Sequence, residues 1–234
     1  MVTGVSRQVG IGHAVAQRLT ADGFRVAAAG WRHYDERMSW GADPSLPELA
    51  GPFYEVDFED PGATSALVST VNKDLGPIGA LVLCHCESVD SDIRTTTIES
   101  FDRHMAVNAR ATWLLIQSFA EQLDGPHGSA RIVSITSDHT AGNLPYGASK
   151  GAMDRIVIAA ATELAAFGLT ANVINPGATD TGWMSPEIEK HVLEMNLQSR
   201  MGVPADVANL VSFLCSPQGQ WINGQLLYSD GGRH

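Results

Sequence analysis

Apolar and β-branched runs recur along the chain at residues 2–4, 24–29, 53–57, 80–85, 130–136, 170–175 and 225–228. Their apolar character on successive positions predicts strands covered on both faces rather than strands with one wet side. Between them lie stretches with helical periodicity, near 13–22, 64–75, 101–123, 145–167 and 204–215. Gly23 and Gly168 stand just past two of these stretches, where a residue able to take a left-handed conformation ends a helix. Strand and helix alternating in this way predict right-handed crossovers and an α/β domain. Its doubly wound parallel sheet has about seven strands in a three-layer α/β/α arrangement.

The chain has 234 residues, 44% of them hydrophobic, which is enough for one large core and predicts a single domain over 1–234. A formal net charge of -11 excludes a nucleic-acid or anionic-membrane surface as the main partner, since both require clustered cations. No apolar run approaches the ~20 residues that span a bilayer, and no leader precedes the first strand, so a cytoplasmic protein with a small-molecule substrate is expected. Cys84, Cys86 and Cys215 form no evenly spaced disulfide framework, which agrees with a reducing compartment. Only Met1 and Val2 precede Thr3, a short lead into the first strand that leaves a start further upstream open.

Candidate chemistry begins directly after that strand. Residues 3–12 read Thr3-Gly4-Val5-Ser6-Arg7-Gln8-Val9-Gly10-Ile11-Gly12, a glycine-rich turn entering a helix. Such a turn lets the backbone approach a pyrophosphate, and the helix start supplies free N–H groups at the positive end of its dipole. Dinucleotide folds often place an acid after the second strand to hold a ribose hydroxyl; here the residues are Gly30, Trp31 and Arg32. Two cations, Arg7 and Arg32, suit a 2′-phosphate instead, favouring NADP(H) while leaving NAD(H) open.

Tyr146-Gly147-Ala148-Ser149-Lys150 opens a long helical stretch, and the spacing puts the phenol and the ammonium on one helix face. A phenol titrates near pH ~10, so a neighbouring positive charge helps it exchange protons near neutrality.

Taken in order, the turn at residues 3–12, Asp57, Asn108, Ser137, Tyr146 with Lys150, Asn175-Pro176-Gly177 and Asp230-Gly231-Gly232 resemble the short-chain dehydrogenase/reductase family. The likeness is greatest to its branch of 3-oxoacyl-(acyl-carrier-protein) reductases. It implies a Rossmann-like domain that transfers hydride between a nicotinamide and a carbonyl or alcohol carbon. Within that resemblance Tyr146 is the general acid, Lys150 lowers its pKa and binds the nicotinamide ribose, Ser137 orients the carbonyl and Asn108 supports a proton relay. Gly4, Ser6, Arg7, Gly10, Ile11 and Gly12 are implied at the cofactor, and Asp57 at the adenine unless it serves only as a helix cap. Pro176 and Gly177 are implied at the nicotinamide, with Thr179 and Thr181 at its amide or at phosphate. Paired long helices imply a homotetramer or homodimer. The apolar segment 182–201, with Trp183, Met184, Met195 and Leu197, suits either a substrate cover or ordinary packing.

Two segments depart from the family pattern. Leu83-Cys84-His85-Cys86 replaces an Asn-Asn-Ala-Gly type segment; alternate strand residues face opposite ways, so thiols and imidazole do not converge and no metal site is expected. Ser137 stands nine positions before Tyr146, a shorter loop than the family usually has, which leaves Ser134 as an alternative hydroxyl. These departures keep a second reading open, a nucleotide-binding sensor or scaffold with weak catalysis.

Overall fold

The computed structural model describes residues 1–44, 48–124 and 130–232. Its strands are β1 (Val2–Thr3), β2 (Ala28–Gly30), β3 (Phe53–Glu55), β4 (Ala80–Leu83), β5 (Arg131–Ile135), β6 (Thr170–Asn175) and β7 (Leu226–Tyr228). The helices are α1 (Ile11–Ala21), α2 (Arg32–Arg37), α3 (Pro61–Leu75), α4 (Ile98–His104), α5 (Ala111–Glu121), α6 (Leu144–Glu163), α7 (Pro186–Met195) and α8 (Pro204–Cys215).

All strand pairs are parallel, in the order β3-β2-β1-β4-β5-β6-β7. The chain runs outward from β1 to β3, returns to β4 beside β1, and continues outward to β7. The carboxyl ends of β1 and β4 therefore form the point where strand order reverses, the crevice in which doubly wound sheets bind ligands. Side chains alternate between two cores. Leu81, Leu83 and Ile132 pack under α3, α5 and α6 with Leu67, Leu115, Phe119, Met153 and Val157. Val82, Val133 and Ile174 pack under α1 and α8 with Val15, Leu19, Val207 and Val211.

β6 matches its apolar run at 170–175, whereas the other observed strands are shorter than or displaced from theirs. β2 begins at Ala28, not at residue 24, because its outer neighbour starts only where Ala28 meets Phe53. The helix expected over 101–123 is three pieces: α4, a π-helical turn at Met105–Arg110 and α5. In that turn the Ala111 N–H reaches back to the Ala106 carbonyl, five residues away. Helices α2 and α7 have no counterpart in the periodicity. Residues 32–37 read Arg-His-Tyr-Asp-Glu-Arg, too short and polar to show an apolar stripe, and α7 buries only Val192.

Candidate active site

The turn after β1 is fixed by close backbone packing. Gly4 has φ of 71°, and a Cβ there would collide with the Cys84 backbone at the end of β4. A Cβ on Gly12 would collide with the Gly4 carbonyl oxygen, so α1 starts pressed against β1. Gly10 is the extended N-cap of α1, Ile11 its first residue, and Ser6 lies half-buried with its backbone against Gly30. The Gln8 N–H in this turn donates to the Asp43 carboxylate at 2.6 Å. An anionic oxygen thus already stands on a turn amide, which is what a phosphate would require of it, and the turn fits a dinucleotide.

Arg7 is largely buried. Its guanidinium lies 4.9 Å from the centroid of the Trp40 ring and 3.9 Å from the Asp35 carboxylate, whose other neighbour is the Trp40 Nε1–H at 3.0 Å. Arg32 has both its backbone N–H and its Nε on the Glu55 carboxylate, at 2.8 and 3.0 Å. Asp57, past β3, is half-buried and accepts the Glu59 N–H at 2.9 Å, a turn-capping contact.

At the far side of the crevice Tyr146 lies in the first turn of α6, where Pro145 presets the helix entry. Burial pushes its phenol well above the usual range, Cys86 adds to this, and a hydrogen bond from Ser137 works the other way. Ser137, just past β5, thus acts on the phenol despite the short loop, and its hydroxyl also accepts the His139 N–H at 3.2 Å. Ser134 is fully buried and donates to the Met153 sulfur, so it faces the core. Lys150 is 2% exposed; its Nζ donates to the Ile135 carbonyl at 2.8 Å and stands 5.7 Å from the Tyr146 ring centroid. Burial lowers its pKa, while Cys86, Cys84 and Asp154 raise it.

Asn108 sits inside the π-helical turn, fully buried. Its Oδ1 accepts the Glu87 N–H at 2.8 Å, and its Nδ2 donates to the Glu87 carbonyl and the Ser149 hydroxyl at 2.9 and 2.8 Å. Ser149 in turn donates to the Tyr146 carbonyl at 2.8 Å. Sequence reasoning missed Ser149, although it lies between Tyr146 and Lys150; it also missed Glu87, Trp40 and Glu55, whose contacts are long-range and leave no local signal.

Past β6, the Thr179 hydroxyl donates to the Pro176 carbonyl at 3.2 Å, closing its own loop, and Gly177 packs against Asp230 where a side chain would not fit. Thr181 is half-buried beyond it. Helix α7 follows with Ile188, Leu193 and Met195 exposed, flanked by the exposed Trp183 and Leu197, the last of them 77%. In the divergent segment after β4, His85 bonds Thr3 Oγ1 at 2.7 Å and stacks on Phe58 at 4.4 Å between centroids. Among the described residues no group of three metal-ligating side chains gathers.

A doubly wound sheet with a glycine-rich turn at its switch point defines a dinucleotide-binding domain. The family model described as enoyl-(acyl carrier protein) reductase matches residues 4–234. The chain belongs to the short-chain dehydrogenase/reductase family, a family of oxidoreductases. An uncharacterized oxidoreductase, YjdA, of Bacillus subtilis is 30% identical over 99% of this chain and 95% of its own length. The 3-oxoacyl-[acyl-carrier-protein] reductase MabA of Mycobacterium tuberculosis is 31% identical over 99% and 91%. A blue fluorescent protein from a metagenomic library, solved in complex with NADPH, superposes with a TM-score of 0.85 at 29% identity, covering 99% of this chain and 96% of that one. A short chain dehydrogenase from Burkholderia cenocepacia J2315, solved with NADP, gives 0.84 at 30% identity with the same coverage.

Proposed function

We propose that this oxidoreductase interconverts a ketone and a secondary alcohol with NADP(H), and that Tyr146 is the group that gives and takes the proton. The observation behind this reading is the meeting of Ser137, Tyr146 and Lys150 past the carboxyl end of β5. NADPH, when bound, supplies the hydride. Residues Gly4, Ser6, Gly10, Ile11 and Gly12 hold the pyrophosphate, Asp57 the adenine, and Arg32 the 2′-phosphate, while Arg7 stays on Asp35 and braces the turn. Lys150 and Tyr146 hold the nicotinamide ribose, and Pro176, Gly177 and Thr181 the nicotinamide; Thr179 stabilises that loop through Pro176.

Hydride addition to a carbonyl leaves negative charge on oxygen, so a donor must stand within hydrogen-bond reach as that charge forms. The Tyr146 phenol, kept protonated by burial, is that donor, and Ser137 orients the same oxygen. Lys150 steadies the phenolate that remains, and Asn108 holds the segment after β4 and, through Ser149, the first turn of α6 in place. Apolar residues of α7 favour a substrate with an aliphatic arm, which agrees with a 3-oxoacyl thioester. Pairing through α5 and α6 into a homodimer or homotetramer, and a cytoplasmic location suited to the free thiols Cys84, Cys86 and Cys215, complete the proposal.

The test follows NADPH absorbance with a panel of 3-oxoacyl thioesters and simple ketones. Tyr146→Phe should lose about 10²- to 10⁴-fold in kcat while still binding NADPH. Tight NADPH binding with no turnover on any member of the panel would favour a nucleotide-binding sensor instead.

A further inference from the structure

The crevice end that receives the adenosine ribose carries three cations, Arg7, Arg32 and Arg37, and each is matched to one carboxylate. Arg7 faces Asp35 at 3.9 Å, Arg37 grips Glu87 at 2.8 Å, and Arg32 grips Glu55 at 3.0 Å. None of the three stands ready for a phosphate without first giving up an anion.

The pairs differ in what that exchange would leave behind. Asp35 and Glu87 have side chains only 2% and 3% exposed, and removing either cation would strand a carboxylate away from water. Breaking such a pair is strongly unfavourable because the remaining charge is uncompensated. Aromatic rings hold the same two cations as well: Trp40 lies on Arg7, and Trp31 and Tyr34 lie on Arg37. Arg32 and Glu55 are 41% and 38% exposed, no ring among the described residues holds them, and the Glu55 oxygen released by the guanidinium would face water while the other keeps the Arg32 backbone N–H. Exposed pairs of this kind contribute little and exchange readily.

Position completes the argument. Glu55 ends β3 in register with Gly30, the last residue of β2, and Arg32 begins the helix just beyond. The pair therefore stands at the carboxyl end of β2, where dinucleotide folds discriminate the ribose substituent. Sequence order alone shows no acid after β2; the neighbouring strand supplies one.

We propose that Glu55 is a specificity-determining residue that competes with the cofactor's 2′-phosphate for Arg32. With a phosphate present, the Arg32 guanidinium leaves Glu55 for the dianion, and the Glu55 carboxylate keeps the Arg32 backbone N–H while its freed oxygen meets solvent. With the unphosphorylated dinucleotide, Arg32 stays on Glu55. Preference for NADP(H) is consequently set below what Arg32 alone would give. This inference rests on the NADP(H) reading above.

Dissociation constants for NADPH and NADH, read from nucleotide fluorescence at fixed ionic strength, test it in wild type, Glu55→Gln, Arg32→Ala and the double variant. Glu55→Gln should bind NADPH about two- to fivefold more tightly, the scale of an exposed ion pair, and bind NADH as wild type does. In the Arg32→Ala background most of that gain should disappear. An unchanged NADPH constant, an equal shift for both nucleotides, or a gain of the same size without Arg32 would each overturn the role of Glu55. Wild type that binds neither nucleotide would overturn the cofactor reading itself, and this proposal with it. Thermal unfolding of Glu55→Gln without nucleotide, expected to match wild type, keeps the comparison free of folding effects.

Discussion

At the scale of single residues, the proton donor is governed by two opposed influences. Burial and the nearby Cys86 push the Tyr146 phenol up, and the Ser137 hydroxyl, by bonding to the charged form, pulls it down. The sign of the balance is upward, so the phenol is protonated across the neutral range, the state that carbonyl reduction needs. Oxidation of the alcohol needs the phenolate and should therefore quicken as pH rises, while reduction stays nearly flat around neutrality. Ser137→Ala removes the influence that favours the phenolate and also one hydrogen-bond donor to the substrate oxygen. Both directions should slow, by about 10²-fold for loss of the donor, and oxidation should slow further with its pH dependence displaced upward. Profiles of kcat/KM against pH in the two directions check this; equal losses with unmoved profiles would assign Ser137 to substrate positioning alone.

Among elements, the turn after β1 and the π-helical turn carry the site, and they differ in how far they were legible. The glycine turn could be read from residues 3–12 because its requirement is local: a backbone that must come close to something. What it comes close to, the Cys84 backbone, is a property of the β1–β4 pairing and was not legible. The π-helical turn has ordinary helical periodicity on either side, so Asn108 was identified by resemblance and its anchoring to Glu87 and Ser149 was not. Helix α2, with its carboxylate and aromatic contacts, left no apolar stripe to find. Two glycines separate local strain from packing. Gly23, at φ of 91°, has nothing near its missing Cβ, so Gly23→Ala should cost about 1–2 kcal/mol from backbone strain alone. Gly12 is helical, but its Cβ would strike the Gly4 carbonyl, so Gly12→Ala should displace α1 from β1. Denaturant unfolding should show a larger loss for Gly12→Ala, together with weakened NADPH binding, whereas Gly23→Ala should bind NADPH as wild type does.

For the molecule as a whole, the response to acid follows from two buried imidazoles. His104 accepts the Val89 N–H through Nε2 at 3.0 Å and bonds the Ser100 carbonyl through Nδ1 at 2.7 Å, an arrangement that only the neutral ring satisfies. Burial lowers its pKa. His85, buried between Thr3 and Phe58, is pushed down to about 3 by burial first and by the charge of Lys150 second. Both groups bind protons less readily folded than unfolded. Between pH about 3 and 6.5, the unfolded chain therefore takes up a proton at His85 that the folded one refuses, and stability falls as pH falls. The loss should begin near pH 6.5, above the range where carboxylates titrate, and should reach a few kcal/mol in strong acid. The net charge of -11 acts the other way, since protonating surplus carboxylates relieves repulsion, but only from about pH 4 downward. Thermal midpoints should thus decline between about pH 6.5 and pH 5. His85→Asn keeps a hydrogen-bonding group toward Thr3 without a titrating ring, and should be less stable at pH 8 yet flatter in that interval. A wild-type midpoint that holds steady down to pH 5 would show that these rings accept protons without leaving their places.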